Sequence, residues 1–260
     1  MKIAIVIPLK AKKVADNWKI VEDSLFKTLQ SIRQQTDSNF YACVTGHDSP
    51  HYLTDNTTLF EHIDFVPFDE LAPPTLCNDS SKNQEKFEKD RCAKIQSGYK
   101  YLLDKYADIT HLFPLDADDL LHKDFVRTLV TLGHSNYIIE NGYFYYLSSR
   151  LVNKTTSFST YCGSSAILSR QLIEKELEQE GRFLFKHIGH VNMRDYLDKS
   201  GISFVVPQKR LVMYVRDNGE NISRQVNGSF ARKFKRNAIM WLKSIMLSTP
   251  YIVKKFGVKE

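Results

Sequence analysis

His111-Leu112-Phe113-Pro114-Leu115-Asp116-Ala117-Asp118-Asp119 is an apolar run that ends in carboxylates. The apolar part predicts a buried strand, which delivers the acids to its C-terminal tip, the edge at which open α/β sheets bind ligands. Asp116 and Asp118, spaced i, i+2, can share one divalent cation through oxygen ligands, the chemistry that Mg²⁺ and Mn²⁺ prefer. Such a metal neutralises a diphosphate leaving group, so the cluster points toward transfer from a nucleotide-activated donor. Asp119 precedes a helix expected from Lys123 to Leu132 and reads as the acid that caps or steadies that turn.

On the N-terminal side of the cluster the pattern is that of a parallel sheet. Ile3 to Leu9 predicts a first strand, and Asn17 to Gln35 a helix whose Trp18, Val21, Leu25, Leu29 and Ile32 share a face. Phe40 to Thr45 predicts a second strand, ending at Gly46-His47-Asp48-Ser49, and Phe65 to Pro67 a short third one. A polar stretch from Asn78 to Lys89 precedes a helix through Arg91, Ile95, Tyr99 and Leu102, which feeds the acid-bearing strand. This order places the acids mid-sheet. On the C-terminal side, Tyr137 to Leu147 and Tyr161 to Leu168 read as strands, with Asn141-Gly142 as a turn. Gln171 to Gln179 and Val191 to Lys199 read as helices. Tyr143, Phe144, Tyr145 and Tyr146 read either as a packed strand or as a sugar-stacking surface.

With 260 residues, 42% hydrophobic and 25% charged, the chain is long enough for one α/β domain with a sizeable core and a short tail. No stretch approaches the ~18 apolar residues of a membrane span, and the N-terminus reads as a strand rather than a signal peptide. Cys43, Cys77, Cys92 and Cys162 have neither a Cys-x-x-Cys pair nor metal-ligand spacing, so free thiols in a reducing cytoplasm are expected, with no zinc site and no disulfide.

Ile5-Val6-Ile7-Pro8, the helix ending Leu29-Gln30-Ser31-Ile32-Arg33-Gln34-Gln35, Leu115-Asp116-Ala117-Asp118-Asp119 and Cys162-Gly163-Ser164-Ser165-Ala166 together resemble a GT-A glycosyltransferase of the family 2 type, over roughly residues 1 to 220. The resemblance implies a Rossmann-like nucleotide-binding sheet with helices on both faces, a nucleotide-sugar donor (commonly a UDP-linked hexose), a Mn²⁺ or Mg²⁺ ion, and inversion at the sugar carbon. Carried over residue by residue, it puts Pro8 and Leu9 against base and ribose and matches Asp48 to an acid that contacts the base. Asp116 and Ala117 fall on the donor-contacting stretch. Asp90, Arg91 and Lys94 fall where members touch the nucleotide or its phosphates; on residue type alone they read equally as a solvated helix face.

The acceptor hydroxyl must lose a proton as it attacks, and the family places an acid for this at the start of a helix. Asp195 is the nearest match in His187-Ile188-Gly189-His190-Val191-Asn192-Met193-Arg194-Asp195, with His190 as the second candidate because an imidazole titrates near neutrality. Tyr214-Val215-Arg216-Asp217-Asn218-Gly219-Glu220-Asn221-Ile222-Ser223 resembles the loop that supplies a third metal ligand. There Asp217 is the candidate ligand and Arg216 a candidate for the diphosphate, while a plain turn is the alternative.

The net charge of +6 is concentrated at the C-terminus: from Arg224 to Lys259 the chain carries nine Lys or Arg and, as its last residue, one acid, Glu260. On a helical wheel Phe230, Phe234, Ala238, Trp241 and Ile245 oppose Arg232, Arg236 and Lys243. The expected organisation is therefore a catalytic domain at 1–228 and a basic amphipathic tail at 229–260. That tail suits an anionic membrane surface, which predicts a cytoplasmic protein held peripherally at the inner face of the plasma membrane; packing on the domain is the alternative. No nucleic-acid reader motif is present. The expected partners are a nucleotide-sugar donor and a glycan or lipid-linked acceptor. A metal-dependent nucleotidyltransferase lacks its glycine-rich loop at Leu9-Lys10-Ala11-Lys12-Lys13, a phosphatase would need its nucleophile on an early strand, and a non-catalytic glycan- or membrane-binding module is the remaining alternative.

Overall fold

Six consecutive buried residues, Ile3–Pro8, form β1, and such two-sided burial is what a strand covered by helices on both faces requires. The computed structural model describes residues 1–54, 60, 62–220 and 249–257. Helix α1 (Trp18–Arg33) starts where the Asn17 side chain accepts a hydrogen bond from the Lys19 amide, and it buries Val21, Leu25, Leu29 and Ile32. Strand β2 (Phe40–Gly46), the short helix α2 (His51–Thr54) and strand β3 (Ile63–Pro67) follow; β1 pairs with β2, and β2 with β3, in parallel.

Helix α3 (Ser80–Lys105) takes in most of the polar stretch that the sequence places before it, because Asp79 caps its N-terminus by accepting from the amides of Ser81 and Lys82. It lies so close to the sheet that a Cβ on Gly98 would stand 2.3 Å from Thr45 Oγ1 and 2.7 Å from Val6 Cγ1. Strand β4 (His111–Pro114) pairs in parallel with β1 and is the fourth of seven strands in the central sheet, with β1, β2 and β3 in succession on one side of it. The acids thus stand mid-sheet.

The second half changes character. After β5 (Leu120–Leu121) and α4 (Phe125–Leu132), the stretch expected as strand from Tyr137 to Leu147, with a turn at Asn141-Gly142, forms β6 (Asn136–Ile138) and β7 (Gly142–Tyr146), which belong to different sheets. Gly142 makes the crossing feasible, since a Cβ there would lie 2.1 Å from the Phe158 ring. β8 (Leu151–Thr155) pairs antiparallel with β7. Of the strand expected from Tyr161 to Leu168 only β9 (Ala166–Ser169) is a strand. Phe158–Thr160 is a 3₁₀ turn, and Cys162 to Ser165 form a buried loop whose Ser165 carbonyl accepts from the Ile139 amide.

Helices α5 (Arg170–Glu180), α6 (Leu184–His187) and α7 (His190–Lys199), then strands β10 (Phe204–Val205) and β11 (Val212–Arg216), complete the domain. β9 joins β4 and β6 antiparallel, while β5, β11, β7 and β8 make a second, four-stranded sheet. The chain is thus a mixed α/β protein with helices on its central sheet. Of the expected C-terminal tail, 229–248 and 258–260 lie outside the described residues. Helix α8 (Thr249–Lys254) and the turn after it pack on the second sheet, where Ile252, Val253 and Phe256 are buried against Leu120, Val152, Met213 and Val215. Phe256 meets His122 and Tyr143 edge-on, and the Lys255 carbonyl accepts from the Lys123 amide.

Candidate active site

A pocket of about 410 Å³ opens at the C-terminal end of β1 and β4. Its walls are Pro8, Leu9 and Lys10 after β1; Phe87, Glu88, Asp90, Arg91 and Lys94 on α3; Asp116, Ala117 and Asp118 after β4; Thr160 to Gly163; His190 and Val191; and Tyr214, Asn218 and Glu220. The acid loop is held from behind by α1, since Thr28 Oγ1 donates to the Ala117 carbonyl at 3.0 Å and the Leu121 amide donates to Ser31 Oγ at 3.1 Å.

The three acids divide by direction. Asp116 Oδ1 accepts from Arg91 Nε at 2.7 Å, and Asp118 Oδ2 accepts from Asn218 Nδ2 at 2.8 Å. Asp119 turns inward, fully buried, and its Oδ2 accepts from Ser164 Oγ at 2.6 Å and Cys162 Sγ at 3.0 Å. The capping role expected for Asp119 is thus replaced by a buried one. α4 begins at Phe125, six residues later, and the loop carries Asp119 behind the pocket rather than to the helix end. Asp119 Oδ1 has no hydrogen-bond partner among the described residues. Burial, then the Asp116 charge, pushes the Asp118 carboxyl up to about 6; burial, then Asp118 and Asp116, pushes Asp119 well above the ordinary carboxylate range.

Of these crowded carboxyls only Asp116 has a cation beside it, Arg91, and a divalent cation would add the positive charge that the group can take up. Asp116 and Asp118 reach the pocket wall, and their oxygen donors fit Mg²⁺ or Mn²⁺. Asp116, Asp119 and Cys162 also bring ligand atoms within 4.8 Å of one another. Cys162, which the sequence gives no metal-ligand spacing, therefore joins the acids through the fold. Burial and Asp119 hold its thiol protonated, so it serves as a hydrogen-bond donor there.

Arg91 and Gly163 form one unit. A Cβ on Gly163 would stand 2.4 Å from Arg91 Nη2 and 2.8 Å from Asp116 Oδ2, so glycine is what lets the loop close over this ion pair. Deeper along α3, the fully buried Lys94 donates from Nζ to the Leu9 carbonyl at 2.9 Å and to Asp90 Oδ2 at 2.6 Å, while Asp90 Oδ1 lies 3.2 Å from His47 Nε2. Burial lowers the Lys94 ammonium below its ordinary value, against the pull of Asp90. Pro8, Leu9, Asp90, Arg91 and Lys94 are thus brought together around one pocket. The solvated-face reading of the last three does not describe them. Asp48 stands outside the lining and accepts from the Lys12 amide at 2.8 Å, which ties down the loop after β1.

The two candidates for the base separate. His190, the first residue of α7, lines the pocket, whereas Asp195 is exposed and lies outside the lining. Five residues along a helix carry a side chain about 140° round the axis, which turns Asp195 away. Burial, then the Arg91 charge, lowers the His190 imidazole below its ordinary 6.5, with Asp116 and Glu88 opposing.

The loop after β11 also departs from the expected assignment. Asp217 has φ 62°, and its exposed carboxylate accepts from Ser148 Oγ at 3.1 Å, away from the acids. Its neighbour Asn218 reaches Asp118 instead. Arg216 stands outside the lining, its guanidinium 5.5 to 5.7 Å from the rings of Phe144, Tyr146 and Tyr214. Sequence reasoning did not assign Lys10 to the site. Glu220 accepts from Lys10 Nζ at 3.0 Å and from the Asn17 amide at 2.6 Å, bridging the loop after β1, the start of α1 and the loop after β11. Lys10 was legible as the cation directly after the first strand; a pairing across 210 residues leaves no local pattern.

No protein-family model matches the chain, and no curated protein matches it in sequence. Among solved structures it is similar to TarS of S. aureus, with 12% identity and a TM-score of 0.46 over 95% of this chain and 41% of that one. It is also similar to the glycosyltransferase GlyE of Streptococcus pneumoniae TIGR4, with 12% identity and a TM-score of 0.38 over 98% of this chain. The chain spans 41% and 63% of the lengths of these two proteins.

Proposed function

We propose that this chain transfers a hexose from a nucleotide-sugar donor, UDP-linked, to a glycan or lipid-linked acceptor of a cell-surface polysaccharide or lipooligosaccharide. One observation carries the reading: Asp116 and Asp118 stand at the C-terminal tip of the central parallel strand, in the wall of a pocket they share with the loop after β1 and the cations of α3. Three of the four motifs that resemble a GT-A glycosyltransferase contribute to that pocket, through Pro8, Asp116 to Asp118, and Cys162 with Gly163. Asp116 and Asp118 would hold Mg²⁺ or Mn²⁺, which when bound neutralises the leaving diphosphate.

In this reading Lys10 and Arg91 add positive charge along the same wall. The neutral His190 imidazole accepts the acceptor hydroxyl's proton as that oxygen attacks the sugar carbon. Attack from the face opposite the departing diphosphate inverts the configuration. Sequence 229–248, basic with interleaved aromatics, fits the anionic face of a membrane, while α8 packs on the domain. No helix among the described residues is long and apolar enough to cross a membrane. The wild-type chain, incubated with UDP-hexoses and Mn²⁺, is expected to release UDP. Failure of every nucleotide sugar tested either to shift its melting temperature or to be hydrolysed would refute the reading.

A further inference from the structure

Tyr161 is 54% exposed although Phe158 and Ser159 shortly before it and Cys162 after it are buried. Its ring is nonetheless fixed from below, because Phe144 meets it edge-on at 5.4 Å and Phe144 itself lies flat on Phe158 at 6.3 Å. An aromatic ring held against a fixed neighbour and open outward loses little freedom when something covers it. Val191, 53% exposed, is on the first turn of α7, which packs against the Phe158–Thr160 turn. Both residues line the pocket that holds Asp116 and Asp118.

Polar groups complete the setting. His190 precedes Val191, and Glu88, with its side chain 46% exposed, also lines the pocket. An apolar ring with hydroxyl-binding groups near it matches a pyranose, whose axial C–H bonds make an apolar patch while its hydroxyls point outward. A lipid chain would need no such polar neighbours, and a peptide would need backbone donors or acceptors at the rim.

We propose that Tyr161 and Val191 form the acceptor platform, on which the apolar face of an acceptor pyranose stacks so that its hydroxyl is presented to His190. This rests on the glycosyl-transfer reading. Stacking on Tyr161 sets the preference for a carbohydrate acceptor end, whatever carries the rest of that acceptor.

Saturation-transfer NMR tests the platform on the full chain with three probes, lactose, cellobiose and chitobiose. At least one is expected to receive saturation at its pyranose C–H protons from the wild type and from Tyr161→Phe, and to lose it with Tyr161→Ala. With that sugar as acceptor, Tyr161→Ala is expected to raise KM about tenfold and Tyr161→Phe to restore it. Saturation retained in Tyr161→Ala, or absent for all three sugars in the wild type, overturns the platform. Donor hydrolysis by the wild type without acceptor reports on glycosyl transfer separately. Hydrolysis together with an unaltered KM in Tyr161→Ala removes the platform alone, whereas no hydrolysis of any donor removes the reading beneath it.

Discussion

The parallel half of the large sheet and the smaller sheet treat their charged residues in opposite ways. Around β1, β2 and β4, charges are buried or half-buried with partners and face the pocket: Lys94 with Asp90, Arg91 with Asp116, Lys10 with Glu220. On the smaller sheet the cations rest on aromatic rings away from the acids, as Arg216 does among Phe144, Tyr146 and Tyr214 and Arg210 does over Tyr143. In the proposed reading the first region receives the anion and the metal, while the second supports it by packing and lends the pocket Tyr214, Asn218 and Glu220. The difference teaches that charge alone does not locate the site. Convergence on the strand tip does.

The sharpest way to break that contrast is Asp118→Ala. It removes a ligand and a charge from the pocket wall, so metal-dependent donor binding should fall by about 10³-fold while the fold stays intact. Isothermal titration with Mn²⁺ and donor measures it, and wild-type affinity would remove the metal from this site. The same carboxyl predicts a pH dependence. Its pKa is raised in the folded chain to about 6, by burial and then by Asp116. Without cation, charging it therefore costs stability as pH rises from the ordinary 3.8 through about 6. With Mn²⁺ present, affinity should rise over that window because the metal displaces the proton. Affinity independent of pH from 5 to 7 would place the ligands elsewhere.

On the packing side the comparable test is Phe256→Ala. Phe256 is 1% exposed and fills the space between His122, Tyr143 and Val253, so its truncation should cost about 3 to 5 kcal/mol of stability. Chemical denaturation measures this. A loss below about 1 kcal/mol would mean that α8 adds nothing to the smaller sheet, and would favour release of the whole tail to a membrane.

The two regions also differ in how far the sequence reveals them. β1, α1, β2 and β4 are legible because burial on both faces produces unbroken apolar runs, and helix burial produces a 3.6-residue period. The acids are legible because they end such a run. β7 and β11 are less so, since Tyr143, Phe144, Tyr145 and Tyr146 look alike in sequence whether they continue β6 or leave for another sheet. Only the glycine at 142, required by the Phe158 ring, marks the crossing. Asn218 and Glu220 act over separations of 100 and 210 residues, where no periodicity reaches. Asp195 illustrates the opposite hazard, an acid near the expected place that the helical repeat turns outward.

His190 and Asp195 sharpen the contrast between lining the pocket and standing near it. His190→Ala should lower turnover about 10²-fold at unchanged donor affinity, and Asp195→Asn should leave it within about twofold. Because burial and Arg91 lower the His190 pKa below 6.5, the neutral imidazole is already the main form at pH 7. Turnover should therefore rise with pH through a pKa below that of an ordinary histidine and level off before neutrality. The charged groups facing it are Arg91, Asp116 and Glu88. An acid limb that survives in His190→Ala would assign the proton transfer to another group.

The smallest expected effect is the one that tests the comparison most directly, because it uses an arginine that the sequence assigns to the diphosphate and the fold places elsewhere. Arg216→Met keeps the bulk between the three rings and removes the charge. The loss should be the cation–π contribution alone, about 0.5 to 1 kcal/mol of stability, with donor KM unaltered. Arg91→Met is the counterpart on the other side of the molecule. It strips Asp116 of its partner at 2.7 Å and leaves a pocket of uncompensated carboxyls, so donor KM should rise about tenfold or more. Steady-state kinetics on the two variants gives the ratio of the two effects. Equal rises in KM would show that the rings around Arg216 open to admit phosphate, and the division of labour between the two sheets would then dissolve.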